Sequence, residues 1–163
     1  MTFAKSMKDE EIASKVMKTP FGKLDTAASR DGLVELTLGH RMEIEFGHRQ
    51  MLDRLEMDLA RYFKGELVDF DDIKLDMFKY TDFERDVLQA TREIPYGNTA
   101  SYSDIAENIG RPNAFRAVGN ALNKNRTAIV VPCHRVISSD GGLGGFGAGM
   151  EWKKRLLRLE GIL

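Results

Sequence analysis

The chain of 163 residues contains one cysteine, Cys133, so no internal disulfide can hold its fold together. The fold must therefore rest on a buried apolar core, which a chain of this length can form. The cysteine lies in the sequence PCHRVI at residues 132–137, directly after an apolar run at residues 129–131. We expect that run to be a buried strand with the thiol at its end.

The residues that follow Cys133 bear on its reactivity. An imidazole, His134, and a guanidinium, Arg135, come next in the chain. A thiol beside a base and a cation can ionise, and the thiolate is the nucleophilic form. A lone cysteine is also commonly a small buried hydrophobe. The hexapeptide alone leaves both interpretations open.

Composition favours a soluble globular protein, because 42% of residues are hydrophobic and 30% are charged. No stretch has membrane-spanning length, and residues 1–10 lack the apolar core of a secretion signal. With one cysteine we expect a reducing cytoplasm. The histidines, His40, His48 and His134, have no zinc-type spacing with the cysteine, so we expect no structural metal.

The distribution of charge predicts a phosphate-binding face, although the net charge is only −1. No acidic residue occurs between residues 108 and 139. The cations in that interval are Arg111, Arg116, Lys124, Arg126 and Arg135. A second cluster consists of Lys153, Lys154, Arg155 and Arg158. Such zones are typical of nucleic-acid binding, and chance clustering on a solvated surface is the alternative.

The first half of the chain predicts a small sheet and one helix. Residues 16–37 predict a β-meander with turns at residues 20–22 and 30–32, and residues 33–38 alternate well enough for a half-buried strand. An amphipathic helix is expected over residues 50–64, with Gly65 as its end. The acidic residues 66–76 are expected to cross over between the two halves.

The second half predicts short helices. Thr81 with Glu84 and Ser101 with Asp104 have capping-box spacing, and the second of these helices should end at Gly110. A third helix is expected over residues 114–123. Two short helices around a tight turn have the outline of a helix-turn-helix, which many helical hairpins share.

Helical periodicity divides the third helix into two faces. The expected core stripe is Phe115, Val118 and Leu122, and the exposed face is Arg116, Gly119, Asn120 and Asn123. A glycine in mid-helix costs about 1 kcal/mol relative to alanine. Gly119 therefore indicates close approach of either DNA or another helix.

Several motifs of the second half occur in a fixed order. They are YGNTASY at 96–102, RAVGNAL at 116–122, Asn125, PCHRVI at 132–137, GFG at 145–147, LL at 156–157 and EG at 160–161. In identity and spacing they resemble the O6-alkylguanine-DNA alkyltransferases (methylated-DNA–protein-cysteine methyltransferases). The resemblance covers about residues 81–163. The first half resembles the family only in plan.

The resemblance implies an α+β fold in two domains. Residues 1–78 would form an RNase H-like sheet-plus-helix domain, and residues 79–163 a mostly helical DNA-binding and alkyl-acceptor domain. The implied activity is direct reversal of DNA damage, in which O6-methylguanine, and also O4-methylthymine, is flipped out of double-stranded DNA. The alkyl group would pass to Cys133 without a cofactor, in a protein that is monomeric. A thioether has no leaving tendency, so we expect each molecule to react once.

The resemblance also implies the catalytic roles. Cys133 would be the acceptor, His134 the base that takes its proton through water, and Glu160 the carboxylate that orients the imidazole. Asn125 would steady the active-site turn. Tyr102 would donate its phenolic proton towards the departing guanine.

The DNA and base contacts follow from the same resemblance. Arg116 would be the finger that fills the space left by the flipped nucleotide. Small residues would let this helix lie in the minor groove: Ala114, Ala117, Gly119 and Ala121. Further DNA contacts are assigned to Ser103, Arg111, Arg135 and Ser139. The base pocket is assigned to Val136, Gly145, Phe146 and Gly147, the last standing where many members have a hydroxyl residue.

Two other functions compete with this one. A DNA-binding regulator could use the helix-turn-helix and sense alkylation or redox state through Cys133, although the third helix has few side chains for reading major-groove base edges. A thiol hydrolase could use Cys133 with His134, although adjacent residues of a strand point in different directions.

Overall fold

The computed structural model describes residues 12–41, 45, 47 and 49–163. The chain divides into two compact units, Met1–Asp76 and Met77–Leu163. The expectations for residues 1–10 and for His48 lie outside the described residues. Within the described part, no helix is long and apolar enough to cross a membrane.

The first unit is built on the predicted meander. Strands β1 (Ala13–Thr19), β2 (Gly22–Ala28) and β3 (Leu33–Leu38) form an antiparallel sheet in the order β1-β2-β3. Each strand contributes to the core: Met17, Leu24 and Leu36 are buried, and Met17 pairs directly with Leu24 across β1 and β2.

Helix α1 (Gln50–Phe63) contacts the sheet and confirms the second predicted element. Its buried stripe includes Leu52, Leu55, Leu59 and Tyr62. The helix ends in a Schellman motif, because Gly65 has φ +86° and its amide donates to the Tyr62 carbonyl at 2.9 Å.

The acidic segment after α1 is part of the first unit, and the expectation of a crossover between halves is wrong. Its Lys74 carbonyl accepts from the Leu33 amide at 2.8 Å, and Leu33 accepts from the Asp76 amide at 2.9 Å. The end of the segment therefore pairs with the first residue of β3. Phe70 and Ile73 are buried, which the count of acidic residues around them concealed.

The second unit begins with three helices, α2 (Asp82–Arg92), α3 (Tyr102–Asn108) and α4 (Phe115–Asn123). Both predicted capping boxes are present, at Thr81 and at Ser101. Helix α3 ends in a Schellman motif at Gly110, whose φ is +75°. Helices α3 and α4 pack against each other with the predicted helix-turn-helix outline.

The expected strand at residues 129–131 is wrong. The run is buried, but it forms a turn in which the Val131 amide donates to the Thr127 carbonyl at 2.9 Å. Ile129 has φ +70°, a conformation that a β-branched residue rarely adopts and that a strand does not allow. Hydrophobicity alone cannot distinguish a buried turn from a buried strand.

A short 3₁₀-helix, Cys133–Arg135, follows this turn and leads into strand β5 (Val136–Ile137). Strand β5 pairs in parallel with β4 (Ala100–Ser101), which directly precedes Tyr102. This pairing brings the cysteine segment beside the start of α3. The last helix, α5 (Met150–Leu159), contacts the 3₁₀-helix.

Candidate active site

Cys133 is the first residue of the 3₁₀-helix and is partly exposed. The side-chain amide nitrogen of Asn125, Nδ2, donates to the Cys133 Sγ at 3.2 Å and to the Val131 carbonyl at 3.0 Å. Asn125 Oδ1 in turn accepts from the Thr127 amide at 3.0 Å. One side chain thus ties the turn before the cysteine to the sulfur itself.

The pKa of the Cys133 thiol is raised, chiefly because burial disfavours the thiolate. The Asn125 hydrogen bond, the charge of Lys153 and backbone amides act in the opposite direction without overcoming burial. The thiol is therefore protonated at neutral pH in the protein alone. The sequence predicts that its neighbours can ionise the thiol, but burial outweighs them, so forming the thiolate would require a base.

Two buried side chains beside the cysteine share the carboxylate of a third, Glu160. His134 Nε2 lies 2.5 Å from Glu160 Oε2, and Arg135 Nε donates to Glu160 Oε1 at 2.7 Å. Arg135 Nη2 donates to the same oxygen. Both carboxylate oxygens are therefore engaged.

The protonation of this group follows from its pKa directions. Burial acts to raise the pKa of Glu160, but the hydrogen bonds from His134 and Arg135 outweigh it and hold the pKa below its ordinary value. Burial lowers the pKa of His134 more than Glu160 raises it, so the imidazole is neutral at pH 7. An ionised carboxylate can only accept, so the imidazole proton is on Nε2.

The other imidazole nitrogen, Nδ1, is consequently an unprotonated acceptor. It is buried, and no group among the described residues forms a hydrogen bond to it. A buried acceptor without a partner is costly in a folded protein and is typical of functional sites. His134 thus has a free basic nitrogen whose tautomer is fixed by Glu160.

Arg135 does not lie where the sequence predicted. Its guanidinium is buried, and Nη1 donates to the Ile94 carbonyl at 2.7 Å. The Tyr96 ring lies 5.8 Å from the guanidinium carbon. Arg135 therefore anchors Glu160 and cannot contact DNA. Its charge alone did not distinguish it from the exposed arginines nearby.

Lys153 also departs from the sequence prediction. It is fully buried, so it cannot belong to the predicted cationic cluster on the surface. Its ammonium donates to the carbonyls of Val136 at 2.7 Å and Gly145 at 3.2 Å. Burial lowers its pKa to about 8, and the Cys133 sulfur acts to raise it. A signal existed in the sequence: Lys153 and Glu160 fall at helical spacing with Leu156 and Leu157, the apolar stripe of α5.

Tyr102 is fixed between a helix and a loop. Its ring lies beside Gly119 of α4, where an added Cβ would be 3.7 Å from it, and its oxygen lies against Gly144. Burial raises the pKa of Tyr102, partly opposed by a hydrogen bond from the Gly145 backbone. The phenol therefore keeps its proton, and its oxygen already accepts from Gly145. Gly144 is absent from the predicted pocket.

The remaining pocket residues are divided by exposure. Val136 is buried within β5, whereas Gly145 and Gly147 are exposed. Phe146 is half-buried, with the Lys153 ammonium 6.0 Å from its ring centre.

The residues assigned to DNA differ in accessibility. Exposed or partly exposed members are Ser103, Arg111, Ala114, Arg116, Ala117, Gly119 and Ser139. The Ser139 hydroxyl donates to that of Ser103 at 3.3 Å. Ala121 is buried and cannot line a groove. Lys124 is paired with Glu84 at 2.6 Å, so its charge is neutralised.

Phe115 also departs from expectation. It was assigned to the core stripe of α4, but 44% of its surface is exposed, while Val118 and Leu122 of the same stripe are buried. Phe115 is the first residue of the helix, so no preceding turn of α4 lies beside it.

The two units of the chain, a sheet-and-helix unit followed by a helical unit with a cysteine site, match two domains of one known protein family. Residues 12–77 match the family model for the ribonuclease-like domain of 6-O-methylguanine DNA methyltransferase, and residues 82–162 match that for its DNA binding domain. The chain belongs to the 6-O-methylguanine DNA methyltransferase family.

Individual relatives agree with the family assignment. The methylated-DNA–protein-cysteine methyltransferase of Methanosarcina barkeri is 41% identical over 151 residues, covering 89% of this chain and 94% of the relative. That of Methanopyrus kandleri is 49% identical over 112 residues, covering 69% and 82%. The crystal structure of Mycobacterium tuberculosis OGT in complex with DNA matches with a TM-score of 0.78 and 40% identity, covering 90% of this chain and 91% of that one.

The buried neutral His134 predicts a specific dependence of stability on pH. An unfolded histidine has a pKa of about 6.5, and folding lowers that of His134, so the unfolded chain binds the proton more readily. The free energy of unfolding should therefore fall as pH drops below about 6.5, by about 1.4 kcal/mol per pH unit for this group. His134→Gln should remove that slope.

The measurement is urea denaturation between pH 5 and 7, followed by the fluorescence of Trp152, the only tryptophan, which lies on α5 in the same unit. The two proteins share every other titrating group, and in His134→Gln the Arg135 hydrogen bonds still act to lower the pKa of Glu160, so the difference in slope reports mainly on His134. Equal slopes in the two proteins would show that His134 is protonated alike in the folded and unfolded chains.

The contact between Gly144 and Tyr102 predicts a second effect on stability. Gly144 has φ +69°, and an added Cβ would lie 2.6 Å from the Tyr102 oxygen. Gly144→Ala should therefore lower the free energy of unfolding by about 2 kcal/mol or more. Gly147→Ala is the matched control, because an added Cβ there has no heavy atom within 4 Å. The same urea denaturation compares them, and equal stabilities would contradict the contact.

Proposed function

We propose that this protein repairs O6-alkylated guanine in double-stranded DNA by transferring the alkyl group to Cys133. The observation that carries this proposal is the single cysteine beside a neutral imidazole whose Nδ1 is free and whose Nε2 is held by a carboxylate. Nucleophile, base and orienting group are thus present in one place. Direct-reversal repair by alkyl transfer to cysteine is the activity that membership of the family brings with it.

The proposed reaction consumes one thiol and restores one base. The Cys133 proton passes to His134 Nδ1, through a water molecule as in the family, and the sulfur attacks the methyl carbon in line with the departing O6. The S–C bond forms as the O–C bond breaks, and negative charge develops on the guanine. Tyr102 donates a hydrogen bond to the base and His134 returns the proton, so the products are guanine and S-methylcysteine.

Lys153 supports the ionised states of this reaction. Its ammonium is buried without a carboxylate partner among the described residues, and its charge interacts favourably with the Cys133 thiolate. Because burial weakens screening, such a cation stabilises a nearby anion more strongly than it would at the surface. The same amine joins the carbonyls of Val136 and Gly145, two positions assigned to the base pocket.

Entry of the damaged base requires the nucleotide to leave the duplex. We assign Arg116, which is exposed on α4, to the space that the nucleotide leaves. The first turn of α4 carries no acidic residue and no side-chain cap, which suits an approaching phosphate backbone. Arg111, Ser103 and Ser139 would contact the backbone. O4-methylthymine presents a similar O-methyl group and is a further substrate.

The wider assignments follow from these. Residues 79–163 would recognise DNA and accept the alkyl group, and residues 1–78 would support them. The protein would act as a monomer without a cofactor. A reactive lone thiol needs a reducing compartment, so we place the protein in the cytoplasm.

The direct test is to mix the protein with a duplex bearing one O6-methylguanine and to map added mass by peptide mass spectrometry. We expect one methyl group per protein molecule, on the peptide that contains Cys133, and no further demethylation once the protein is used. Cys133→Ala should still bind DNA but accept no methyl group. Methyl transfer by Cys133→Ala, or repeated turnover by one molecule, would contradict the proposal.

Lys153 generates a second prediction. Lys153→Met keeps the length of the side chain but removes the charge, so at pH 7 the rate of Cys133 alkylation by iodoacetamide should fall about tenfold. Above pH 8 the wild-type amine loses its own proton, so the two rates should converge. Lys154→Met, a change at the partly exposed neighbour, is the control and should react like wild type. A pH-independent difference would show that Lys153 acts through packing and not through charge.

A further inference from the structure

Phe115 is an exposed aromatic side chain that the proposed reaction does not use. It is 44% exposed on the first residue of α4, directly before Arg116. The Arg116 guanidinium carbon lies 5.9 Å from the centre of the Phe115 ring, within the range of a cation–π contact. The two side chains thus form one surface, flat and apolar on one side and cationic on the other.

The surroundings of Phe115 favour a polyanion. No acidic residue occurs between residues 108 and 139, and α4 has no acidic residue in its first turn. Charge complementarity therefore selects DNA as the occupant of this face.

The position of Phe115 relative to the base pocket defines its role. Gly119 lies four residues later on the same face of α4, about one helical turn or 5.4 Å along the axis. The Tyr102 ring contacts α4 at Gly119. Because Gly119 has no side chain, nothing at that helix position covers Phe115. The exposed ring is therefore one turn from the site where an everted base would meet Tyr102.

Resting on the proposed function, we infer that Phe115 is a second DNA-inserting residue, which packs against the base face exposed beside the vacated nucleotide while Arg116 fills the gap. Apolar wedges inserted from the minor groove open base steps in this way. An aromatic ring can stack on any base, so this contact would be independent of sequence. Phe115 thereby stabilises the opened duplex and takes no part in the transfer of the methyl group.

The test separates base flipping from chemistry. Phe115→Ala should lower the rate of methyl transfer from a duplex containing O6-methylguanine about tenfold, while leaving unchanged the reaction of Cys133 with the free base O6-benzylguanine, which requires no flipping. Phe115→Trp should retain the duplex rate, and its fluorescence should be quenched on binding the duplex as the indole stacks on a base. Phe78→Ala, which removes another exposed phenylalanine of the same unit, should leave both rates unchanged.

Three results would overturn the inference: an unchanged duplex rate in Phe115→Ala, an equal loss on duplex and free base, or an equal loss in Phe78→Ala. Failure of the proposed function is distinguishable, because wild-type protein would then transfer no methyl group to Cys133 from the duplex. If wild type transfers the group and Phe115→Ala does so at the same rate, only the inference about Phe115 fails.

Discussion

The site depends on one buried carboxylate that is shared by two neighbours. Glu160 accepts from His134 on one oxygen and from Arg135 on the other. Burying three such groups is unfavourable unless each is paired, and removing one partner from a buried ionic cluster typically costs 3–5 kcal/mol. Arg135 keeps Glu160 ionised, and Glu160 keeps the imidazole proton on Nε2. Without that chain of hydrogen bonds, Nδ1 would not be a defined base.

The protonation state of Cys133 distinguishes the resting protein from the reacting one. Burial raises the pKa of the Cys133 thiol, so the sulfur is protonated in the protein alone. A thiolate would react with oxidants and stray electrophiles in the cell. Lys153 and Asn125 lower the free energy of the thiolate once it forms, because each already interacts with the sulfur. The protein thus combines a protected resting thiol with a reactive transient one.

Local sequence signals predicted local structure well. The capping boxes at Thr81 and Ser101 and the glycine end of α1 involve residues within a few positions of one another, so the sequence was sufficient. The turn at Ile129 was not predictable, because a β-branched residue rarely adopts the left-handed conformation that it has there. Apolar character required only that this run be buried.

Three cationic residues show that local sequence does not determine which charges are buried. In the sequence Arg116, Arg135 and Lys153 differ only in their neighbours, yet the first is exposed and the other two are buried. What separates them is a partner elsewhere in the chain: Glu160 for Arg135, 25 residues away, and the carbonyls of Val136 and Gly145 for Lys153. The sequence did indicate that Lys153 is buried, because it lies at helical spacing with Leu156, Leu157 and Glu160. Charged residues on such an apolar stripe must either find partners or disrupt the core.

Departures from good local design cluster at the surfaces that act. Helix α4 exposes an aromatic ring at its first residue and carries Gly119 in its interior. The active-site turn holds a β-branched residue at positive φ, and the site holds an imidazole nitrogen without a partner among the described residues. Each of these features lowers stability when the protein is alone. These features coincide with the α4 surface and the cysteine turn to which we assign function, and local stability is commonly given up at such positions.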